Sequence, residues 1–284
     1  MIELLCSSPH NDGWSLEARD PETVRRLMPF YEWCYTHYFQ VRTDGWEHIP
    51  AEGNFLFVGS HNGGLAAPDM HMFIYDWYRR FGYQRPVYGL LHPMVWKAFP
   101  PVAHLAVRFG AIRADPRMAI AALRQSASVL VYPGGARDTF RPHCLRDQIR
   151  FFGNKGFIKL ALREHVTIIP LISWGAHDTL MVMADVYPQI LQLHQWGMPW
   201  LFDLDPLVFP IYLGLPWGVA LGPLPHLPLP IPIATRVCAP IQFPHYGRDT
   251  LQDLAYVDAC YQQVVETMQM ALDQLIQEVK GLKG

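Results

Sequence analysis

Charge is scarce in this chain. Only 17% of its 284 residues are Asp, Glu, Lys or Arg, against roughly 25% in an ordinary soluble domain. The few charges nearly cancel, leaving a formal net of −2 at pH 7. No basic stripe is present for a phosphate backbone, so nucleic acid is excluded as the main partner. Cysteine is scarce as well: Cys6, Cys34, Cys144, Cys238 and Cys260 are odd in number and show no Cys-x-x-Cys spacing. That argues against a disulfide framework or a zinc site and suits free thiols in a reducing compartment. The opening Met1-Ile2-Glu3-Leu4-Leu5-Cys6 has no basic stretch ahead of a long apolar core, so it does not read as a secretion signal and a cytoplasmic location is expected. Internal repeats, low-complexity tracts and long charged linkers are also missing. The length suits one domain over 1–284, with a core over about 50–245, an N-terminal helical region at about 15–40 and a C-terminal helix at about 250–280.

Apolar residues take the place of charge. Half the chain is hydrophobic, with 25 prolines, 9 tryptophans and 13 tyrosines. Such a balance points to contact with lipid or a lipid-like substrate; a well-packed soluble enzyme is the alternative, since folded surfaces always expose apolar atoms. From Pro206 to Thr235 no residue is charged, while Leu, Ile, Val, Phe and Trp dominate. The length would span a bilayer. Eight prolines interrupt it, however, at 206, 210, 216, 223, 225, 228, 230 and 232. Each removes a helical hydrogen bond that hydrocarbon cannot replace. The expectation for 206–235 is a proline-rich apolar loop that packs on the protein or dips into one leaflet, making the protein peripheral at a membrane surface.

Along the chain, helical and extended patterns alternate. Helical spacing covers Pro21–Phe39, Asp69–Phe81, Pro93–Phe109 with a break at Pro100-Pro101, Asp115–Gln125, Lys155–Arg163 and Thr250–Val279. Short apolar runs at Phe55–Gly59, Pro86–Leu90, Gly110–Arg113, Val129–Tyr132, Val166–Ile172 and Thr235–Cys238 read as strands. This alternation predicts the α/β class, a mostly parallel sheet flanked by helices. Sites in such sheets lie beyond the carboxyl ends of the strands. His61, Arg113, the turn Pro133–Arg137 and Ser173-Trp174-Gly175 each stand at or just after the end of an expected strand. His61 is followed by Gly63-Gly64 and by Asp69 at a helix start. A histidine serves as a base near neutral pH when a carboxylate fixes its tautomer and orientation. Asp69 is one candidate for that carboxylate, with Asp138 and Asp178 as competitors. The bland alternatives are a structural histidine, an Asp69 that merely favours the helix dipole, a Gly134-Gly135 that is only a tight turn, and arginines paired with Asp115 and Asp138 at the surface. No His-x₃-His or His-Glu-x-x-His spacing supports a metal.

Four blocks in order resemble the glycerolipid (lysophospholipid) acyltransferase superfamily, in particular the branch related to monoacylglycerol and diacylglycerol acyltransferases. They are Gly59-Ser60-His61-Asn62-Gly63-Gly64 with Asp69, Phe109-Gly110-Ala111-Ile112-Arg113, Val131-Tyr132-Pro133-Gly134-Gly135-Ala136-Arg137-Asp138, and Ile168-Ile169-Pro170-Leu171. Two positions depart from the common pattern. Ala66 stands where the usual aspartate follows the histidine, and Gly134 replaces a frequent glutamate. The second departure argues against a phosphorylated acceptor. The resemblance implies direct transfer of a fatty acyl group from acyl-CoA, a co-substrate with no further cofactor, to a hydroxyl of a lipid acceptor. His61 would be the base and Asp69 its partner, with Gly63-Gly64 or Gly134-Gly135 supplying oxyanion donors. Arg113 and Arg137 would meet CoA phosphates or a headgroup. A lipid hydrolase and a non-catalytic lipid-binding protein are the other readings; no Gly-x-Ser-x-Gly elbow supports the former.

Overall fold

A computed structural model describes residues 12–200 and 205–281. The N-terminal hexapeptide and Cys6 lie outside the described residues. The chain alternates as its pattern predicts. Helix α1 (Pro21–Trp33) starts on the Asp20 cap, whose carboxylate accepts from the Glu22 N–H, and runs on as a π-helical turn to Tyr38. Strands β1 (Arg42–Asp44) and β2 (Leu56–Gly59) follow, then helix α2 (Pro68–Phe81), β3 (Val87–Leu91), α3 (Met94–Ala98), α4 (Pro100–Phe109), β4 (Ala111–Arg113) and α5 (Pro116–Arg124). Next come β5 (Ser128–Val131), the short helix α6 (Gly135–Thr139), α7 (Gly156–Glu164) and β6 (Ile168–Trp174). The break between α3 and α4 falls at Phe99 because Pro100 and Pro101 fit a helix's first turn and not its interior.

Strand β10 (Ala234–Val237) completes a seven-stranded sheet in the order β1-β10-β6-β2-β5-β3-β4. All neighbours in it are parallel except β10 and β6. The sheet is buried on both faces, so its central strands are continuously apolar and not alternating. Leu56, Val58, Val129 and Ile168 face one layer with α5, α7 and the long helix α9 (Leu254–Gly281). Phe57, Leu130 and Ile169 face the other, against Phe73 and Trp77 of α2. The α/β class with a mostly parallel sheet between helices is therefore the architecture seen.

One region differs from expectation. The segment 206–235 is not a loop, because β8 (Pro210–Gly214) and β9 (Gly218–Leu221) form an antiparallel hairpin that joins β7 (Met181–Asp185) in a second sheet. Helix α8 (Tyr187–Gln195) connects β7 to this hairpin. Proline is compatible with strand structure at a strand's first residue and in turns, and Pro210 and Pro216 occupy those places. Among the described residues no helix is long and apolar enough to cross a membrane.

Candidate active site

Because β2, β5, β6, β3 and β4 run in one direction, their carboxyl ends share a rim. His61 stands two residues past β2, on a loop that neighbouring elements hold by its backbone. The His61 N–H donates to Asp138 Oδ2 at 2.6 Å, and the His61 carbonyl accepts from Arg141 at 2.8 Å. Ser60 Oγ donates to the same Asp138 oxygen at 3.2 Å. Asp138 and Arg141, three apart around α6, form a buried ion pair at 2.9 Å. Arg141 also donates to Asn62 Oδ1 at 2.6 Å. Asn62 in turn donates to Asp69 Oδ2 at 2.8 Å. The chain Asp138–Arg141–Asn62–Asp69 thus links two buried carboxylates through one buried guanidinium, and nearly every polar atom in it has a partner.

The imidazole itself is packed but not engaged. It stacks on Tyr132 with ring centroids 4.7 Å apart. Its Nδ1 is buried and has no hydrogen-bond partner among the described residues. Burial pushes the His61 pKa down to about 4, and the nearby Arg141 and His71 charges push the same way. The ring is therefore neutral at physiological pH, with its lone pair free to accept a proton. His71, whose ring stacks on Tyr31 at 5.7 Å, is also held down to about 4 by burial. Burial pushes Asp69 up to about 7, opposed by the Asn62 hydrogen bond. Asp138 is pushed up to about 6 by burial, with Arg141 and the His61 N–H acting against it.

Placement of the remaining expected residues is mixed. Asp69 is brought under the glycine loop, but its carboxylate reaches Asn62 and the Met70 N–H, not the imidazole. Its position at the start of α2, beyond the left-handed Gly63, Gly64 and Ala67, accounts for this. Gly63 has no room for a Cβ, which would meet Pro68, Thr179 and the Ala176 carbonyl within 3 Å. Gly135 (φ +56°) donates its N–H to the Tyr132 carbonyl in a turn. Gly134 lets the chain pass Asp138 and the Arg150 carbonyl, where a Cβ would overlap both; close packing requires glycine at this position. Arg137 is at the rim but exposed, its guanidinium 5.9 Å over the Phe152 ring that Arg150 also covers.

Arg113 is not gathered with the others. It ends the edge strand β4, three places from β2, or about 14 Å at the usual ~4.8 Å strand spacing. Its Nε donates to the Asp12 carbonyl, and its guanidinium lies near the Trp14 and Trp96 rings. Nor do the arginines pair as surface bridges with the acids named beforehand: Asp115 pairs with Arg117, and Asp138 with Arg141. Arg141 is the residue that sequence reasoning missed. Its signal was the spacing of three from Asp138 just after the third block. Ser60 is buried and turned to Asp138, which leaves no serine nucleophile beside the histidine. Among the described residues no group of three His, Cys, Asp or Glu side chains could hold a metal. The four described cysteines, Cys34, Cys144, Cys238 and Cys260, are free thiols.

Beneath the loop, Ser60, Asp69, Phe73, Tyr132, Ser173 and Thr235 line a cavity of about 10 Å³. That is below the ~300 Å³ at which ordinary ligand pockets begin. It has room for about one water molecule and for no substrate group.

Comparison with known proteins adds to this geometry. Residues 40–174 match the acyltransferase family. An uncharacterized protein of Mycobacterium leprae is 28% identical over 256 residues, covering 88% of this chain and 64% of its own length. Human 2-acylglycerol O-acyltransferase 3 is 28% identical over 55% of this chain and 43% of its own. Bovine diacylglycerol O-acyltransferase 2 is 26% identical over 49% and 37%. Thus the chain spans just under two thirds of the mycobacterial relatives and less than half of the two mammalian enzymes. The crystal structure of the 1-acyl-sn-glycerophosphate acyltransferase of Thermotoga maritima superposes with a TM-score of 0.46 at 17% identity, over 86% of this chain and 78% of that one.

Proposed function

We propose that this chain, similar to the acyltransferase family over residues 40–174 and to acylglycerol acyltransferases, moves a fatty acyl group from acyl-CoA to a hydroxyl of a lipid acceptor, with His61 as general base. One observation carries the reading. His61 is fixed through its own peptide by Asp138 and Arg141 while its neutral ring keeps an unused nitrogen. A backbone held this firmly around a side chain left free is what a positioned base requires.

The step balances without a covalent enzyme intermediate. The imidazole takes the acceptor hydroxyl proton as that oxygen attacks the thioester carbonyl carbon. The resulting C–O bond replaces the C–S bond, and the imidazolium returns its proton to the departing CoA thiolate. Asp69 assists at a distance, through Asn62, by opposing the positive charge that develops on His61. Gly63 and Gly64 offer backbone N–H groups to the tetrahedral oxyanion, a contribution of about 10²–10³ in rate per donor. Gly134 and Gly135 serve the turn and have less claim to that role. Arg137, exposed beside Phe152, is the cation for the CoA phosphates; Arg113, at the sheet edge, is held by the Asp12 carbonyl between the Trp14 and Trp96 rings. The lipid acceptor is reached by docking the apolar segment 206–235 on a membrane surface.

The test is His61→Ala assayed with labelled acyl-CoA against a panel of lysophospholipids, acylglycerols and long-chain alcohols. We expect acceptor-dependent transfer by the wild type and none by the folded variant. Undiminished transfer by folded His61→Ala protein overturns the mechanism, and acyl-CoA consumption that ignores the acceptor indicates a hydrolase.

A further inference from the structure

The glycine loop after His61 is held from a third direction, by the hairpin of the second sheet. His226, on the chain returning from β9, brings its Nε2 to 3.1 Å from the Gly63 carbonyl oxygen. Its ring lies directly on Gly64, where an added Cβ would come within 2.5 Å of the imidazole. Tyr212 of β8 backs the ring at 5.9 Å, and the Leu229 N–H donates to the Thr179 carbonyl, fixing the chain just beyond it. Thr179 in turn closes on Gly63, where it would meet a Cβ at 2.7 Å. From the other side Thr139 Oγ1 donates to the Gly64 carbonyl at 2.8 Å.

These contacts determine more than the loop's position. In a trans peptide the carbonyl and the following N–H point in opposite directions, and the Gly63–Gly64 bond is trans. Anchoring the Gly63 oxygen on His226 therefore aims the Gly64 N–H to the opposite side. Glycines with φ of +73° and +62° would otherwise turn these peptide planes at little cost.

We propose that His226 is a positioning residue for the acyl transfer, fixing the Gly63–Gly64 peptide so that the Gly64 N–H serves as an oxyanion donor. This rests on the reading of His61 as the base. It also makes the second sheet part of the reaction machinery, since a group seated on the apolar hairpin sets the orientation of a peptide beside the histidine.

The experiment compares His226→Leu, His226→Gln and His226→Asn with the wild type, measuring kcat and KM for acyl-CoA per mole of folded protein. Leucine fills space without a donor. The glutamine amide carries an N–H about as far out as Nε2, and the asparagine amide is one bond short. We expect kcat to fall about 10²-fold in the Leu and Asn variants, the size of a lost oxyanion donor, with KM little changed and the Gln variant near wild type. Wild-type kcat in folded His226→Leu overturns the proposal, as does a Gln variant no better than Asn. Should the Leu variant fail to fold, the Gln–Asn pair decides by itself. His61→Ala separates the two readings: an inactive His61→Ala beside a fully active His226→Leu removes only the role of His226, whereas an active His61→Ala removes the base on which it rests.

Discussion

The rim of the large sheet and the outer face of the small one solve opposite problems. At the rim, Asn62, Asp69, Asp138 and Arg141 are buried polar groups that satisfy one another. In the small sheet Val182, Tyr212 and Ala220 point inward, while Met181, Met183, Leu213, Val219 and Leu221 are exposed. Antiparallel sheets with one wet face normally alternate apolar-in with polar-out; here both faces are apolar. Directional bonds fix geometry at the rim, at the cost of desolvating charges. Exposed apolar patches of this kind mark interaction surfaces, and this one is the face proposed above to meet lipid. Directional bonding and exposed apolar surface are thus divided between the two sheets.

The most severe way to break this division is Arg141→Met. It leaves Asp138 buried beside Ser60 without its counter-ion, which costs about 3–5 kcal/mol when one partner of a buried pair is removed. We expect a matching loss in denaturant unfolding together with loss of acyl transfer; unchanged stability would show that the rim does not depend on the ion pair.

A finer test uses pH. The wild-type rate should fall as pH drops through about 7, because the raised Asp69 takes a proton there while His61 stays neutral down to about 4. In Asp69→Asn the overall rate should be lower, by a smaller factor than in His61→Ala. Its acid limb should move down to about 6, where Asp138 protonates. A limb left at 7 in that variant assigns it to some other group.

The smallest structural effect is expected at the other pole. Trp217→Asp with Leu221→Lys changes exposed positions and removes the indole bond to the Pro225 carbonyl, so stability should fall by about 1 kcal/mol. Sedimentation with liposomes should nevertheless drop, and unaltered sedimentation would remove the membrane role of this face.

Legibility in the sequence follows the same divide. Strands β2, β5 and β6 were readable because both their faces are buried, leaving short apolar runs bounded by small or turn residues. His61 and the glycine loop were readable from their place after β2. What could not be read was strand order. Arg113 follows a strand of the right direction, yet only pairing distant in sequence puts that strand at the edge, away from His61. The reach of Asp69 was equally hidden, since it depends on how the left-handed Gly63, Gly64 and Ala67 turn the chain. Proline density concealed β8 and β9: by propensity it argues against strands, but not at a first position or in a turn. Arg141 was overlooked because its partners, from His61 to Arg146, meet only once β2 and β5 are neighbours.

The pairing of β1 has a consequence in time. Its partner in the sheet is β10, with Arg42 opposite Ala234 and Asp44 opposite Arg236. Strands β2 to β5 find one another within residues 56–131, but β1 has to wait until residues 234–237 have been made. Only then can Arg236 bridge Asp44 to Glu278 of the last helix. Among the described strands the first in the chain is thus one of the last able to dock, and it closes the edge beside β10 after the chemistry-bearing rim has already had the chance to form.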